Sequence, residues 1–234
     1  MKLLNTNGGN TKVNKSMKSK LGTDLIRIAS LSMMPDLILC PASEIAGCDK
    51  VCLQTTGRGR FSNVKASRQA KTDWWHSDRE GFLTQLKREM HNFIRTCKKQ
   101  GVRPVFRLNT ISDIAWETYL DLDGEFGDAY FYDYTKRAKR LGNTPQNYDL
   151  MFSFSSKLAY ANQVLSALKT DVPIAVVFKG RIPDTFLGRP CINGDASDIV
   201  NVQAGRVVIG LLAKGDAKHD DSGFAVDPDL IAVA

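Results

Sequence analysis

From Val102 onward, short apolar runs alternate with polar or helix-like stretches. VRPVFRLN, DAYFYDYT, YDLMFSFS, VPIAVVFKG and RVVIGLLAKG are strand-like, and SDIAWETYLDL, KRAKRLG and SSKLAYANQVLSALK lie between them. This rhythm predicts βαβ units on a parallel sheet, either a barrel or an open doubly wound sheet. In the last connecting stretch Leu158, Ala161, Leu165 and Leu168 mark one helical face. Upstream, TDLIRIASLSMMP reads as a first strand ending before Pro35, followed by a helix over Ser62–His76. A clearer helix follows, in which Phe82, Leu83, Leu86, Met90, Phe93, Ile94 and Cys97 repeat at three and four. Cys97 at the end of that stripe reads as a small buried hydrophobe. Residues 1–22 are polar and rich in Asn, Lys, Ser and Gly. They read as a flexible basic arm ahead of a single α/β domain over 23–234.

In parallel α/β sheets chemistry gathers at the carboxyl ends of the strands. Here those ends are polar: Arg107, Asn109, Ser112 and Asp113; then Tyr132, Asp133, Tyr134, Thr135 and Lys136; then Ser153, Ser155 and Ser156; then Lys179 and Lys214. The expectation is one rim on which these groups converge, with Ser112 also placed to cap a helix over DIAWE. No Gly-x-Gly-x-x-Gly follows the first strand, so a dinucleotide fold has no local support.

Five cysteines occur, and three of them, Cys40, Cys48 and Cys52, fall in LCPASEIAGCDKVCLQTTGRGR. No run is long enough to span a bilayer, and the start lacks the apolar core of a signal peptide, so a cytoplasmic protein without membrane contact is expected. In that compartment clustered thiols argue for metal binding or catalysis rather than disulfides. Structural zinc wants four ligands, and His76, His91 and His219 are all distant in sequence. An iron–sulfur cubane on three thiolates instead leaves one iron open to a small molecule. Zinc completed by Cys97 or Cys191, or unliganded thiols, are the alternatives.

The net charge of +7 is concentrated at the start: residues 1–71 hold twelve Lys/Arg against four Asp/Glu, and the remainder twenty against twenty-one. A local basic surface attracts phosphate-bearing partners. Gly57–Arg60 leads into a helix with Lys65, Arg68 and Lys71 and ends at Trp74 and Trp75. Nucleic acid would therefore be met by Arg58, Arg60, Lys65 and Arg68, with the indoles free to stack bases. The plainer reading is a solvated basic helix face whose tryptophans pack on the core. Asn193-Gly194 signals a turn, beside which Asp195 and Asp198 are acidic groups suited to a ribose or a cation.

The blocks CPASEIAGCDKVCL, GRGRF, RLNTISDIAWE, FYDYTKR, NYDLMFSFS, IAVVF and INGDASD together resemble the phage family called gene product 88, from about Cys40 to the end. Their order is also similar to phage proteins of radical-SAM type. That resemblance implies a 4Fe-4S cluster on Cys40, Cys48 and Cys52 in a partial (β/α) barrel of radical-SAM-like type. S-adenosylmethionine would then meet the open iron. Asn109, Ser112 and Asp113 would hold its polar groups, Arg107 and Lys136 would pair with a carboxylate or phosphate, and Tyr132 or Tyr134 would stack or donate a hydrogen bond, with Asp195 beside the cofactor. The spacing C-x7-C-x3-C differs from the C-x3-C-x2-C of that superfamily, and no Gly-Gly-Glu segment is evident. The expectation is an iron–sulfur protein acting on a phosphate-containing small molecule, nucleotide or nucleic-acid-related substrate. The alternative is a non-catalytic iron–sulfur module that binds nucleic acid or a protein.

Overall fold

A computed structural model describes residues 1–7 and 11–229. The described strands are β1 (Leu4–Asn5), β2 (Lys20–Leu21), β3 (Asp24–Leu31), β4 (Arg103–Arg107), β5 (Tyr130–Thr135), β6 (Tyr148–Ser153), β7 (Ile174–Phe178), β8 (Thr185–Phe186), β9 (Arg189–Asn193), β10 (Val208–Leu212) and β11 (Ala225–Val226). The helices are α1 (Thr11–Ser16), α2 (Ser43–Ala46), α3 (Ser62–Ser77), α4 (Arg79–Lys99), α5 (Ala161–Leu168) and α6 (Asp198–Val202). The strands run in the order β1-β3-β4-β5-β6-β7-β10-β9-β8, with β2 paired to β3 and β11 to β7. Pairing is parallel from β3 to β9, and antiparallel at β1–β3, β2–β3 and β8–β9. The sheet is thus mostly parallel and open, since β1 and β8 end it without pairing to each other.

Each expected strand forms where a Val-, Ile-, Phe- or Tyr-rich run can be buried. One face carries the larger core, built on Phe106, Phe131 and Phe152 and covered by the apolar stripe of α4. Burying that stripe stabilises α4, and Asp78 caps it by accepting from Gly81 N–H at 2.9 Å. The opposite face carries Ile28, Val105, Tyr130, Tyr132 and Met151 under Val13 of α1 and Ile199 and Val202 of α6.

Three expectations change. In place of a flexible arm, the described residues of 1–22, which exclude 8–10, put Leu3 and Leu4 into the larger core and Val13 and Leu21 into the smaller one. SDIAWETYLDL and KRAKRLG contribute only 3-10 turns, Trp116–Thr118 and Ala138–Arg140. The reason is local: Asn109 Oδ1 accepts from Ile114 N–H at 2.9 Å, Ser112 Oγ at 2.9 Å and Trp116 Nε1 at 3.2 Å. A side chain thereby takes one backbone donor, Ile114 N–H, and fixes Ser112 and Trp116 around Asn109, so Ser112 donates to Asn109 instead of capping a helix. Finally, α5 forms but buries Val164 and Ala167, while Leu165 stays exposed and Leu158, just before the helix, is 89% exposed.

β6 and β7 pair only at Phe152↔Ile174 and Ser153↔Ala175. Beyond that point β11 takes β6's place beside Val177 and Phe178. The parallel strands therefore part at their carboxyl edge, next to the cysteine loop.

Candidate functional site: the three-cysteine loop

After β3 the chain turns at Asp36, whose carboxylate accepts from Ile38 N–H at 2.9 Å and Leu39 N–H at 2.8 Å. The loop is then tied across the carboxyl ends of the strands. Leu39 O accepts from Asp113 N–H at 2.8 Å, Ala46 O from Ser155 Oγ at 2.7 Å, and Glu44 O from Lys157 Nζ at 2.8 Å. Gly47 closes α2 in the left-handed region, φ 75°, and its carbonyl accepts from Ser222 Oγ at 3.1 Å. A Cβ at that position would lie 2.6 Å from Ser222 Oγ.

On this anchored loop Cys40, Cys48 and Cys52 are free, half-buried thiols, near enough for the charge of one to act on another. Cys40 Sγ lies 3.6 Å from Ile111 O and Cys48 Sγ 3.7 Å from Ser43 O. Burial pushes all three thiols above their ordinary range, and their mutual charge pushes Cys40 and Cys48 further. Lys136 acts in the opposite sense on Cys48, and Arg68 on Cys52. Arg68 Nη1 is buried without a hydrogen-bond partner. Cys97, buried near the end of α4, and Cys191, in β9, are not among the groups acting on the three thiols. Among the described residues no three His, Cys, Asp or Glu side chains gather as ligands of a single metal ion.

Around the loop, the side chains expected at the rim are placed as follows. Asn109 Nδ2 donates to Ile114 O at 2.9 Å and Asp133 Oδ2 at 3.1 Å, so its amide is spent internally. Asp113 is buried and accepts from Thr135 Oγ1 at 2.8 Å, Lys136 N–H at 2.9 Å and Arg140 Nη1 at 2.7 Å. Burial raises Asp113 above the usual carboxylate range against the pull of Arg140 and Arg137. Lys136 Nζ lies 3.1 Å from Ser153 Oγ, 4.5 Å from the Phe224 ring and 5.4 Å from the Tyr160 ring.

Arg107 and Tyr132 belong to a separate polar cluster, on the face covered by α1 and α6. Fully buried Asp198 accepts from Arg107 Nη1 at 2.6 Å, Lys12 Nζ at 2.7 Å and Tyr134 Oη at 2.6 Å. Burial works against its charge, yet Arg107 and Lys12 hold Asp198 below the usual range. Arg107 Nε and Tyr132 Oη are buried there without partners. Asp195 lies near this cluster and accepts from Lys214 Nζ at 2.5 Å and Leu212 N–H at 3.3 Å.

Of the basic set, Arg58 and Lys65 are exposed, and Arg60 is paired with Asp216 at 3.4 Å. Trp75 is 2% exposed and packs edge-on against Phe82, Trp116 and Tyr119; Trp74 packs on Phe82 at 5.6 Å. The indoles are therefore committed to the core. Two residues that sequence reasoning passed over are structural centres. Arg140 pairs with Glu117 at 2.8 Å through both Nε and Nη2, and Lys12 anchors the N-terminal segment on Asp198. Lys12 sat in the stretch read as a flexible basic arm and Arg140 in KRAKRLG, between two strand runs, and neither carried a periodic signal.

No helix of the described residues is long and apolar enough to cross a membrane. No curated protein and no solved structure matches the chain. The family model described as gene product 88 matches residues 1–228, and with the three-cysteine loop and its anchoring strands inside that span, the chain belongs to the gene product 88 family.

Proposed function

We propose that Cys40, Cys48 and Cys52 hold an iron–sulfur cluster at the carboxyl edge of the sheet. The observation that carries this reading is that three half-buried thiols on one anchored loop act on one another electrostatically, with the cations of Lys136 and Arg68 acting on them. Thiolates are soft donors suited to iron–sulfur clusters or zinc. A cubane spreads its ligands over separate irons, so it does not need the compact single-ion group that is absent among the described residues. When bound, such a cluster supplies electron transfer and, with three protein ligands, one iron open to a small molecule. The chain's own part is to hold the thiolates, offset their charge and keep water from their buried side.

S-adenosylmethionine at the open iron, in a partial barrel of radical-SAM-like type, is the catalytic form of this proposal. Asn109, Ser112 and Asp113 would then shape the rim without reaching the ligand, because their bonds are spent internally. Lys136 remains for a carboxylate or phosphate of a nucleotide-like substrate. The non-catalytic reading is favoured by one observation: Leu37, Ile38, Ile45, Leu53 and Phe61 on the same loop are all exposed by 41% or more. An apolar surface dominated by aliphatic side chains suits a protein partner better than nucleic-acid bases, which need aromatic platforms.

Anaerobic purification should give a coloured protein with stoichiometric iron and sulfide, lost on Cys40→Ser, Cys48→Ser or Cys52→Ser. A colourless protein holding zinc overturns the proposal. Release of 5′-deoxyadenosine on adding reductant and S-adenosylmethionine separates the catalytic reading from the non-catalytic one.

A further inference from the structure

Lys136 is 9% exposed, and a lysine buried this far needs an anion or it loses its charge. Among the described residues no carboxylate lies within ion-pair distance of its ammonium. Asp113 Oδ2 accepts from the Lys136 backbone N–H instead, and its Oδ1 accepts from Thr135 and Arg140. The Lys136 ammonium is held by Ser153 Oγ at 3.1 Å and Ser153 O at 3.4 Å, and lies over the Phe224 and Tyr160 rings. Tyr160 Oη donates to the carbonyls of Lys136 and Ser153 at 2.6 and 3.1 Å, which fixes the strand ends carrying both residues. Asp113 ties Lys136 to the loop, donating its own N–H to Leu39 O, next to Cys40, at 2.8 Å and accepting from Lys136 N–H at 2.9 Å; ionised as thiolates, Cys48 and Cys40 would favour the ammonium, as Asp113 does. Ring faces and one hydroxyl position a cation without neutralising it.

We propose that Lys136 is the cation that offsets, on the Cys40 and Cys48 side, the negative charge of the metal–thiolate centre on Cys40, Cys48 and Cys52, with Arg68 beside Cys52. It is a positioning residue that sets how tightly that centre is held and at what potential it accepts an electron. This rests on the cluster reading above and adds the source of its charge compensation. In the metal-free protein Lys136 is buried without a counter-ion, so keeping its proton or giving it up costs stability, and Lys136 is a cost before the centre forms and a gain afterwards.

That reversal of sign gives the test. Lys136→Met keeps the length and apolar stem, Lys136→Arg keeps the charge, and Lys139→Met is an exposed control. Each is compared with the wild type, metal-free and after anaerobic reconstitution with iron and sulfide. Metal-free Lys136→Met should melt at or above the wild-type temperature. Once reconstituted, its midpoint potential should be more negative, and it should release iron to a chelator roughly tenfold faster or more. Lys136→Arg should recover most of both properties. Unchanged potential and iron release in Lys136→Met overturn the inference while leaving the cluster intact. A metal-free Lys136→Met that fails to fold also overturns it, because the lysine would then be a packing element. Wild-type protein that takes up no iron and sulfide overturns both the inference and the cluster reading.

Discussion

Asp198 and Asp133 are both fully buried carboxylates, and their surroundings move them in opposite directions. Arg107 and Lys12 hold Asp198 ionised, so its contribution to stability is present above the ordinary carboxylate range and is lost as pH falls through its depressed folded value. Asp198→Asn strands two cations, one of them buried, and should cost about 3–5 kcal/mol in urea unfolding at neutral pH. Asp133 is pushed up to about 7 by burial, against the pull of Arg107 and the hydrogen bonds from Asn109 N–H and Tyr148 Oη. The fold then binds its proton more tightly than the unfolded chain does, so stability from Asp133 is full below about pH 4 and is lost as pH rises toward about 7. Asp133→Asn should flatten the pH dependence of the unfolding free energy across that window; an unchanged slope would show that another group titrates there. The polarity of both neighbourhoods was legible from sequence, but their separation was not. Alternation along β5 sends Tyr132 and Tyr134 to the α1/α6 face and Asp133 and Thr135 to the other, so residues adjacent in the chain serve different clusters.

At the level of elements, β3 to β7 and β10 were readable because each is a compact apolar run that must be buried, whereas the short β1, β2, β8, β9 and β11 carry no such run. The connections from β4 to β5 and from β5 to β6 were not, while the helices α3, α4 and α5 form where expected. Asn147 Nδ2 alone donates to the carbonyls of Leu122, Phe126 and Ala129, at 2.6, 3.3 and 3.1 Å. A count of apolar spacing cannot register such a bond. The cysteine loop belongs to the same class: its order comes from Asp36, Gly47 and long-range bonds to Asp113, Ser155 and Ser222. Gly47→Ala tests how far the thiols depend on that order. The left-handed backbone alone costs about 1–2 kcal/mol, and the added methyl must displace Ser222. Urea unfolding should show at least that loss, and iron uptake should fall below wild type. Normal uptake with lowered stability would mean that the loop finds its geometry from the metal rather than from α2.

For the whole molecule, the largest difference between sequence and structure is the N-terminal segment. Its polarity hides four apolar residues, Leu3, Leu4, Val13 and Leu21, each at most 4% exposed and divided between the two cores. Glu89 of α4 accepts from the backbone N–H groups of Leu3 and Leu4 at 2.9 and 2.8 Å, while Lys71 Nζ donates to Leu3 O at 2.8 Å. Part of the basic excess that suggested a phosphate-bearing partner is therefore used internally, Lys12 on Asp198 and Lys71 on the chain start. Sequence spacing could not reveal this, since each contact joins residues far apart in the chain. Fully burying each of the four side chains is worth about 1.5–3 kcal/mol, a sum comparable to the roughly 5–15 kcal/mol net stability of a typical domain. A variant lacking residues 1–22 should therefore melt well below the full chain by circular dichroism and elute as aggregate on size exclusion, with Asp198 left without Lys12. A truncated protein that melts with the wild type would return the segment to the status of a dispensable arm and leave the sheet from β3 to β11 as the self-sufficient unit.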